Sequence, residues 1–357
     1  MKLYYPKSHY NKAHRGLVFP LLKPFIKNEG FTDAERIALY GLSERAFEFV
    51  EELEAADAVL LPMAWNYYLK TKQQKLAINF VKECAAANKK VIAFNAGDFG
   101  VRIPYYGNLI VLRPSGYKSK FTNNEYAFPA LIADPLKKYF ETDKIFERPY
   151  ETKAVVGFCG QANPSVFNAA KEVFKTSLRN LKSFIGKSKD EAQQLLSTSF
   201  LRASVLKRLK QASFAETNFI LRKKYRAGIT EHKDTHRTTL EFYNNLKDSD
   251  YVVCVRGAGN FSVRFYETLA MGRIPVFINT DCALPFENEI DWKKQVVWVE
   301  FKDRHQVAQK LKEFHEALSK NDFIDLQLAN RILWQEKLTM GGFFKNFLDE
   351  ISRTDEI

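Results

Sequence analysis

The sequence predicts an α/β protein with two domains, each a parallel sheet covered by helices. Short apolar runs rich in β-branched residues alternate with longer segments whose apolar residues recur at helical spacing. This alternation is typical of parallel sheets with helices on both faces. The 357 residues, of which 46% are hydrophobic and 27% charged, are enough for two domains that each bury a core.

The first half of the chain, residues 1–145, is predicted to be a Rossmann-like domain. Its strands are expected at residues 2–5, 57–61, 91–94 and 109–112, and its helices at 43–53, after a Ser cap, and 66–87. A segment of mixed charge at 137–151 contains Pro149 and is the expected connection between the domains.

The second half, residues 146–338, is predicted to be another Rossmann-like domain, and residues 339–357 form a C-terminal segment. Its strands are expected at 153–158, 218–221, 251–255, 274–278 and 296–299. Its helices are expected from about 165 to 211 with a break at Gly186, and then at 235–246, 262–271, 304–319 and 322–337, with a last helix at 343–351.

The most informative stretch is residues 250–278, DYVVCVRGAGNFSVRFYETLAMGRIPVFI, which is predicted to be a β-α-β unit. The amide groups at the start of its helix have no partners within the helix, and the helix dipole adds partial positive charge there. Gly257 and Gly259 allow the backbone to approach a ligand, and Ser262 stands at the helix start. The unit therefore predicts an anion site.

Charged side chains on this unit indicate which anion would fit. Arg256 and Arg264 would grip phosphate oxygens in forked geometry, and Glu267 lies one turn beyond Arg264, where it would accept hydrogen bonds from a ribose diol. These residue types favour a nucleoside diphosphate. The alternative is an ordinary salt bridge between Arg264 and Glu267, with a plain turn at the two glycines.

The segment VRGAGNFSVRFYETLAMGRIPVFI, followed by LPFENEIDW at residues 284–292, resembles the signature of the exostosin family of glycosyltransferases. The similarity covers roughly forty residues. Weaker similarity occurs at residues 55–62, AADAVLLP, and at residues 90–100, KVIAFNAGDFG, whereas residues 165–215 show none.

The resemblance implies a GT-B architecture, in which two Rossmann-like domains face a cleft. The donor nucleotide sugar would bind the C-terminal domain and the acceptor the N-terminal one, with the final helix crossing back to the first domain. The family resemblance also implies inverting transfer with neither a cofactor nor an obligatory metal. No Asp-x-Asp metal motif is expected, since Asp248 and Asp250 precede the signature at a helix-to-strand junction.

The acceptor side is predicted from the end of a strand in the first domain. Ligands bind beyond the carboxyl ends of parallel strands, and Asp98 lies there, so it is the candidate general base. A simple loop turn is the alternative for Asp98. Glu125 and Asp134 are weaker candidates, and His9 and His14 would line the acceptor site, with a solvated loop position as the alternative for both.

Further donor contacts are predicted in the second domain. Gly160 would let the chain approach the diphosphate after the first strand, and Arg222 or Arg226 would reach a phosphate from the end of the next strand. Tyr225 would stack on a base or sugar. Pro285 and Phe286 would wall the nucleobase or sugar, with a well-packed loop as the alternative.

Charge and the chain termini suggest the protein's environment. The net charge is +12, and residues 171–237 hold 16 Lys and Arg against 6 Asp and Glu, a field that would attract nucleotide sugars, acidic glycans, anionic headgroups or nucleic acid. No signal peptide or membrane span is predicted, so a cytoplasmic protein, peripheral at the inner membrane face, is expected. The four separated cysteines favour neither a zinc site nor a disulfide framework.

The family resemblance, together with these residues, implies an inverting hexosyl- or pentosyltransferase. It would move a sugar from a nucleotide diphosphate sugar, expected to be a UDP-sugar, to a glycan or lipid-linked hydroxyl in polysaccharide synthesis. The expected source is bacterial or viral, and nucleic acid is not an expected partner. Two alternatives stay open: a fucosyltransferase-like GT-B enzyme that uses a GDP-sugar, and a non-catalytic protein that binds glycans or polyanions.

Overall fold

The computed structural model of the protein describes residues 1–27, 31–222 and 232–353. Within this part of the chain the strands form two sheets whose neighbouring strands all run parallel, which confirms the α/β class with two Rossmann-like halves. None of the described helices has the length and apolar content that a membrane crossing requires.

The first sheet has the strand order β2-β1-β3-β4-β5-β6. Its strands are β1 (Lys2–Tyr4), β2 (Glu48–Phe49), β3 (Ala58–Leu60), β4 (Val91–Phe94), β5 (Leu109–Arg113) and β6 (Glu125–Ala127), and the helices around them are α1 (Asp33–Tyr40), α2 (Trp65–Lys70), α3 (Gln74–Ala86) and α4 (Pro135–Phe140). The apolar strands β3 and β5 are buried along their whole length, as central strands of a covered parallel sheet must be.

The helix predicted at residues 43–53 is wrong. The Ser43 hydroxyl accepts from the backbone amide of Arg45 at 3.1 Å, so the predicted cap residue is used in a turn. The chain then forms β2, whose Glu48 pairs with Lys2 of β1. Pairing with a strand far away in sequence outweighs the local helix propensity here.

The helix predicted at residues 66–87 is two helices, α2 and α3. Lys72 between them has a φ of 59°, a left-handed conformation that no α-helix interior contains. The Thr71 hydroxyl donates to the Tyr67 carbonyl at 2.9 Å and the Gln73 amide to the Tyr68 carbonyl at 2.7 Å, and these bonds end α2.

The second sheet has the order β11-β10-β9-β7-β8. Its strands are β7 (Ala154–Gln161), β8 (Ala215–Arg222), β9 (Tyr251–Cys254), β10 (Ile274–Asn279) and β11 (Val297–Glu300), and its helices are α5 (Val166–Phe184), α6 (Thr198–Lys210), α7 (His232–Lys247), α8 (Val263–Ala270), α9 (Trp292–Gln295), α10 (Val307–Glu316) and α11 (Lys320–Leu333).

Strand β7 is longer than the sequence predicts. It continues past Phe158 through Gly160 to Gln161, so Gly160 lies in the strand and not in the turn after it. A Cβ on Gly157 would lie 2.2 Å from the Ser249 hydroxyl. The glycine is therefore required by the tight packing of the chain entering β9 against β7.

The last helix, α12 (Met340–Arg353), packs on the first sheet. A Cβ on Gly341 would lie 2.2 Å from the Gly41 carbonyl oxygen, so only glycine allows this close approach. Phe343 meets Phe128 with ring centroids 4.9 Å apart, and Phe344 meets Phe19 at 5.9 Å. These contacts join the end of the chain to the core of the first domain.

Candidate functional site

The two predicted halves of the site meet where β4 and β9 end. A Cβ on Gly259, in the turn after β9, would lie 2.4 Å from the Asp98 carbonyl oxygen in the loop after β4. The Ser115 hydroxyl joins both loops: it donates to the Asp98 carbonyl at 2.6 Å and accepts from the Asn260 amide at 2.9 Å. The carboxyl ends of the two sheets therefore face each other, as the GT-B prediction requires.

Asn260 holds the turn in place and was missed by the sequence analysis. Its side-chain amide donates to the carbonyls of Gly116, Thr280 and Asp281 at 2.8, 3.0 and 2.8 Å, and its oxygen accepts from the Thr280 hydroxyl at 2.6 Å. The residue is 1% exposed. A buried side chain with its hydrogen bonds so fully satisfied fixes the geometry around it.

Arg256 is buried and its guanidinium is occupied by the chain itself. Nε donates to the Gly259 carbonyl at 3.2 Å and Nη2 to the Ala258 carbonyl at 3.2 Å, which shapes the turn. Nη1 donates to the Tyr117 hydroxyl of the first domain at 3.1 Å. The observed hydrogen bonds show that Arg256 holds the turn after β9 in shape. Direct contact of Arg256 with phosphate remains a prediction.

Arg264 lies on α8 against the end of β7. Nη2 donates to the Cys159 carbonyl at 2.8 Å, and the guanidinium lies 4.4 Å from the centre of the Phe158 ring. Nε is buried without a hydrogen-bond partner among the described residues. Burial lowers the pKa of Arg264 from its ordinary value, although nearby Cys254 and Glu267 oppose the shift. The protein thus holds a desolvated cation there.

Glu267 accepts from the Tyr243 hydroxyl at 3.1 Å. Burial raises the pKa of Glu267, while Arg264 and the Tyr243 hydrogen bond lower it. The structure describes both Arg264 and Glu267, and no ion pair within 4.0 Å forms between them. Other residues spaced i, i+3 in the chain do form ion pairs. The simple salt-bridge interpretation of this pair is therefore wrong.

The start of α8 has no side-chain cap. Ser262 stands at the cap position with extended backbone, but its side chain makes no capping hydrogen bond. In α1, α5, α6 and α11, by contrast, a Ser or Thr side chain accepts from the first turn. An uncapped helix start with positive dipole potential suits an anionic ligand.

A further guanidinium that the sequence analysis missed belongs to Arg202 on α6. Nη2 donates to the Arg256 carbonyl at 2.7 Å and Nη1 to the Gln161 carbonyl at 3.4 Å, while Nε is buried without a partner among the described residues. Burial and the nearby Arg264 lower the pKa of Arg202 to about 10. Nothing in the local sequence distinguishes this arginine from the other cations of a basic helix.

Gly160 lies against Arg264, since a Cβ on it would be 2.7 Å from Nη2. The glycine therefore leaves space for the guanidinium, and a direct diphosphate contact by Gly160 stays a prediction. Gly257 meets only the Phe261 carbonyl, at 3.8 Å, and has room around it. Arg222 forms an ion pair with Glu241 and donates to the Thr238 carbonyl at 2.9 Å.

Tyr225 and Arg226 lie outside the described residues. Pro285 and Phe286 are buried: the Phe286 ring lies 5.3 Å from that of Phe343 on α12, and the Pro285 carbonyl accepts from the Trp292 indole at 3.0 Å. These contacts match the packed-loop alternative. Contact of either residue with a nucleotide remains a prediction.

Among the three candidate bases, Asp98 stands apart. It is exposed, and within the part of the chain that the structure describes its carboxylate has no ion pair or hydrogen bond. Asp134 is paired with Arg331 at 2.6 Å and Glu125 with Arg113 at 2.5 Å. Because a base must be able to reach the substrate's proton, Asp98 is the best placed of the three.

His9 is buried, so the solvated position considered for it is wrong. Its Nδ1 lies 3.2 Å from the Tyr68 hydroxyl, its ring packs on Phe80, and burial lowers its pKa from 6.5. His14 is partly exposed, with its ring centroid 5.3 Å from that of Tyr67. The acceptor role of both residues remains a prediction, and His9 has the surroundings of a core residue.

The site as a whole is cationic at its base. Two guanidinium groups, Arg202 and Arg264, lie near the end of β7 and have no ion-pair partner among the described residues, and the uncapped start of α8 adds a partial positive charge. Such an arrangement can stabilise negative charge that develops on a leaving group. Among the described residues, no cluster of three or more His, Cys, Asp or Glu could hold a metal ion.

Comparisons with known proteins point to one family. A family model described as the Exostosin GT47 domain matches residues 144–314. Exostosin-1 of Drosophila melanogaster is 30% identical over 90 residues, which are 25% of this chain and 11% of that protein. Probable glucuronosyltransferase 47 A of Physcomitrium patens is 36% identical over 74 residues, which are 21% of this chain and 15% of that protein.

A solved structure of a mutant S. aureus TarM in complex with Fondaparinux, alpha-GlcNAc-glycerol and UDP has a TM-score of 0.34 and 9% identity, and covers 73% of this chain and 50% of that one. The chain spans less than a sixth of the length of the two curated relatives above, at 11% and 15%. The matched region contains the turn after β9, α8 and both unpaired guanidinium groups. Residues 144–314 of this chain therefore match the Exostosin GT47 domain, the family that these comparisons indicate.

Proposed function

We propose that this protein is a glycosyltransferase that moves a sugar from a nucleotide diphosphate sugar, expected to be a UDP-sugar, to a hydroxyl of a glycan or lipid-linked acceptor. The observation that carries the proposal is the pair Arg202 and Arg264, two half-buried cations near the end of β7 that form no ion pair with a carboxylate among the described residues. Burying an uncompensated charge costs several kcal/mol, and a bound diphosphate would offset that cost.

The donor would bind with its diphosphate at the start of α8. Val263 and Arg264 lie in the first turn of that helix, where backbone amides have no partner within the helix, and Arg264 would add charge-assisted hydrogen bonds. Glu267, one turn further along, would accept from the ribose hydroxyls. Burial raises the pKa of Glu267, as expected for a carboxylate that forms no ion pair. Ribose hydroxyls would supply additional hydrogen-bond donors to it.

The chemistry would be a single displacement. The Asp98 carboxylate would accept the proton of the acceptor hydroxyl, and the hydroxyl oxygen would form a bond to the anomeric carbon. The bond from that carbon to the diphosphate would break, and its electron pair would leave with the diphosphate. Attack opposite the leaving group inverts the anomeric centre, and basic side chains would stabilise the departing charge without an obligatory metal.

Two alternatives make different predictions. A fucosyltransferase-like enzyme would show the same arginine dependence with a preference for GDP over UDP. A non-catalytic polyanion-binding protein would bind heparin or nucleic acid with steep salt dependence and would be little affected by Arg264→Met, since the loss of one contact among many changes such binding only slightly.

Thermal shift against UDP, GDP, ADP and CDP, each compared with its monophosphate, tests the proposal. We expect stabilisation by one diphosphate that is much larger than that by the corresponding monophosphate, because the diphosphate occupies the cationic site. Transfer to a glycan acceptor, followed by NMR of the product's anomeric proton, then tests inversion. If no nucleoside diphosphate stabilises the wild-type protein, the proposed activity is wrong.

A further inference from the structure

Helix α5 exposes an apolar face to solvent. Phe174 is 64% exposed and Phe184 87% exposed, the highest value among the large apolar side chains described. The exposed apolar residues of α5 fall along one side of the helix, at Val166, Phe167, Phe174, Leu178, Leu181 and Phe184, and the last four are spaced three or four positions apart. A helix of a globular protein normally turns such a stripe toward the core.

The opposite side of α5 faces the protein with polar groups. Glu172 accepts from the Ser197 and Ser199 hydroxyls, each at 2.7 Å. The Asn180 amide donates to the Gln193 carbonyl at 2.7 Å, and Ser183, which is 1% exposed, accepts from Arg102 of the first domain. The usual orientation of an amphipathic helix is therefore reversed, and polar contacts fix α5 with its apolar face outward.

Cations flank the exposed stripe. Residues 166–189 contain six Lys and Arg and a single acidic residue, Glu172, which is engaged with the two serines. Lys171, Lys175 and Lys182 are exposed. On a helical projection these lysines fall together beside the apolar stripe. A second copy of the chain packed on this face would bring two rows of lysines together, which disfavours self-association.

We propose that α5 is a membrane-docking helix, which lies in the surface of an anionic bilayer with its aromatic stripe inserted and its lysines among the headgroups. A long helix with an apolar face and a lysine-rich flank has the composition of interfacial helices. Anionic lipid supplies the charge that the lysines complement, and the bilayer covers the apolar side chains that the protein leaves exposed.

Docking through α5 would also orient the candidate site. The Arg179 guanidinium on α5 lies 3.9 Å from the centre of the Phe99 ring, and Phe99 follows Asp98 in the loop after β4. The loop that holds the proposed base is therefore in contact with the docking helix. A lipid-linked acceptor would be presented on that side, a consequence that rests on the proposed function, whereas the docking itself does not.

Vesicle sedimentation of the full chain tests the docking. Vesicles of phosphatidylcholine alone are compared with vesicles that also contain phosphatidylglycerol, at low and physiological salt. We expect binding only with the anionic lipid, weakened by salt. The triple variant K171Q/K175Q/K182Q should bind roughly a hundredfold more weakly at low salt, and F174S/F184S about thirtyfold more weakly.

The matched control is L328S/I332S on α11, whose side chains are 48% and 40% exposed, and it should bind like the wild type. Stabilisation by the nucleoside diphosphate should be the same in all these variants, so that loss of docking is separable from failure of the proposed activity. The proposal is overturned if the wild-type protein does not sediment with anionic vesicles. So does a concentration-dependent dimer in ultracentrifugation that F174S/F184S abolishes, because the face would then belong to a second copy.

Discussion

Replacing Arg264 by Met removes a half-buried charge whose close contacts among the described residues are backbone carbonyls and aromatic rings. The guanidinium donates to the Cys159 carbonyl at 2.8 Å and approaches the Val253 carbonyl at 3.5 Å, and no carboxylate among the described residues pairs with it. Met keeps most of the apolar stem. The Cys159 carbonyl loses its hydrogen-bond donor, which costs about 1 kcal/mol of stability. Removing the partly desolvated charge is favourable and offsets this cost. We therefore expect a change in unfolding free energy of no more than ~1 kcal/mol.

Nucleotide binding should change much more. Two charge-assisted hydrogen bonds to a diphosphate are worth roughly 3–6 kcal/mol together, which corresponds to an affinity loss of about a hundredfold to ten-thousandfold. Isothermal titration calorimetry with UDP and GDP measures this loss, and urea unfolding measures the stability. The variant should be as stable as the wild type and unable to bind the nucleotide at micromolar concentrations.

Arg331→Met provides the matched control. Arg331 is buried, whereas Arg264 is half-buried, and Arg331 pairs with Asp134 through two hydrogen bonds at 3.0 and 2.6 Å. Removing one partner of a buried ion pair costs about 3–5 kcal/mol, so this variant should be destabilised yet retain its nucleotide affinity. The reasoning is refuted if Arg264→Met loses as much stability as Arg331→Met, or if it binds the nucleotide as well as the wild type does.

Three further changes test other parts of the site. Asp98→Asn should lower kcat about a hundredfold or more, with donor affinity unchanged, because it removes the base alone; an unaltered pH profile and rate would exclude that role. Glu267→Gln should weaken nucleotide binding about tenfold while it keeps the Tyr243 contact, as calorimetry can show. Because burial raises the pKa of Glu267 in the folded state, ionisation disfavours folding, so the wild type should lose stability relative to Glu267→Gln as pH rises above the ordinary value of 4.5. Equal pH dependence of the two proteins would contradict this shift. Gly259→Ala should cost about 1–3 kcal/mol, since its Cβ would lie 2.4 Å from the Asp98 carbonyl, whereas Gly257→Ala, with nothing closer than 3.8 Å, should change little in urea unfolding.

The parts of the fold that depend on local pattern were predictable from the sequence. The predicted unit at residues 250–278 agrees with β9, α8 and β10 to within about one residue at most boundaries. Strand β4 occupies the predicted residues, because a buried apolar strand between polar turns has few alternatives. Helix α1 was missed although its capping box, Thr32 with Glu35, is visible in the sequence.

Features that depend on distant partners could not be predicted. Asn260 binds Ser115 and Gly116, about 145 positions earlier in the chain, and no local pattern indicates those contacts. Arg202 becomes part of the cationic site only because α6 packs beside the end of β7. The exposed face of α5 was equally hidden, since its periodicity alone predicts an ordinary helix whose apolar side is buried.

Asn260 also has a consequence for motion between the two halves. Its amide and side chain reach Ser115 and Gly116 across the domain boundary at 2.9 and 2.8 Å, and the neighbouring Asp281 carboxylate accepts from Ser119 at 2.6 Å. Separating the two halves at this point breaks these hydrogen bonds, at a cost of roughly 0.5–1.5 kcal/mol each. A rotation about Asn260 preserves them. A movement between the halves that keeps these bonds would therefore be a rotation about Asn260, and it would also have to accommodate the ion pairs of Arg113 with Glu191 and of Arg331 with Asp134.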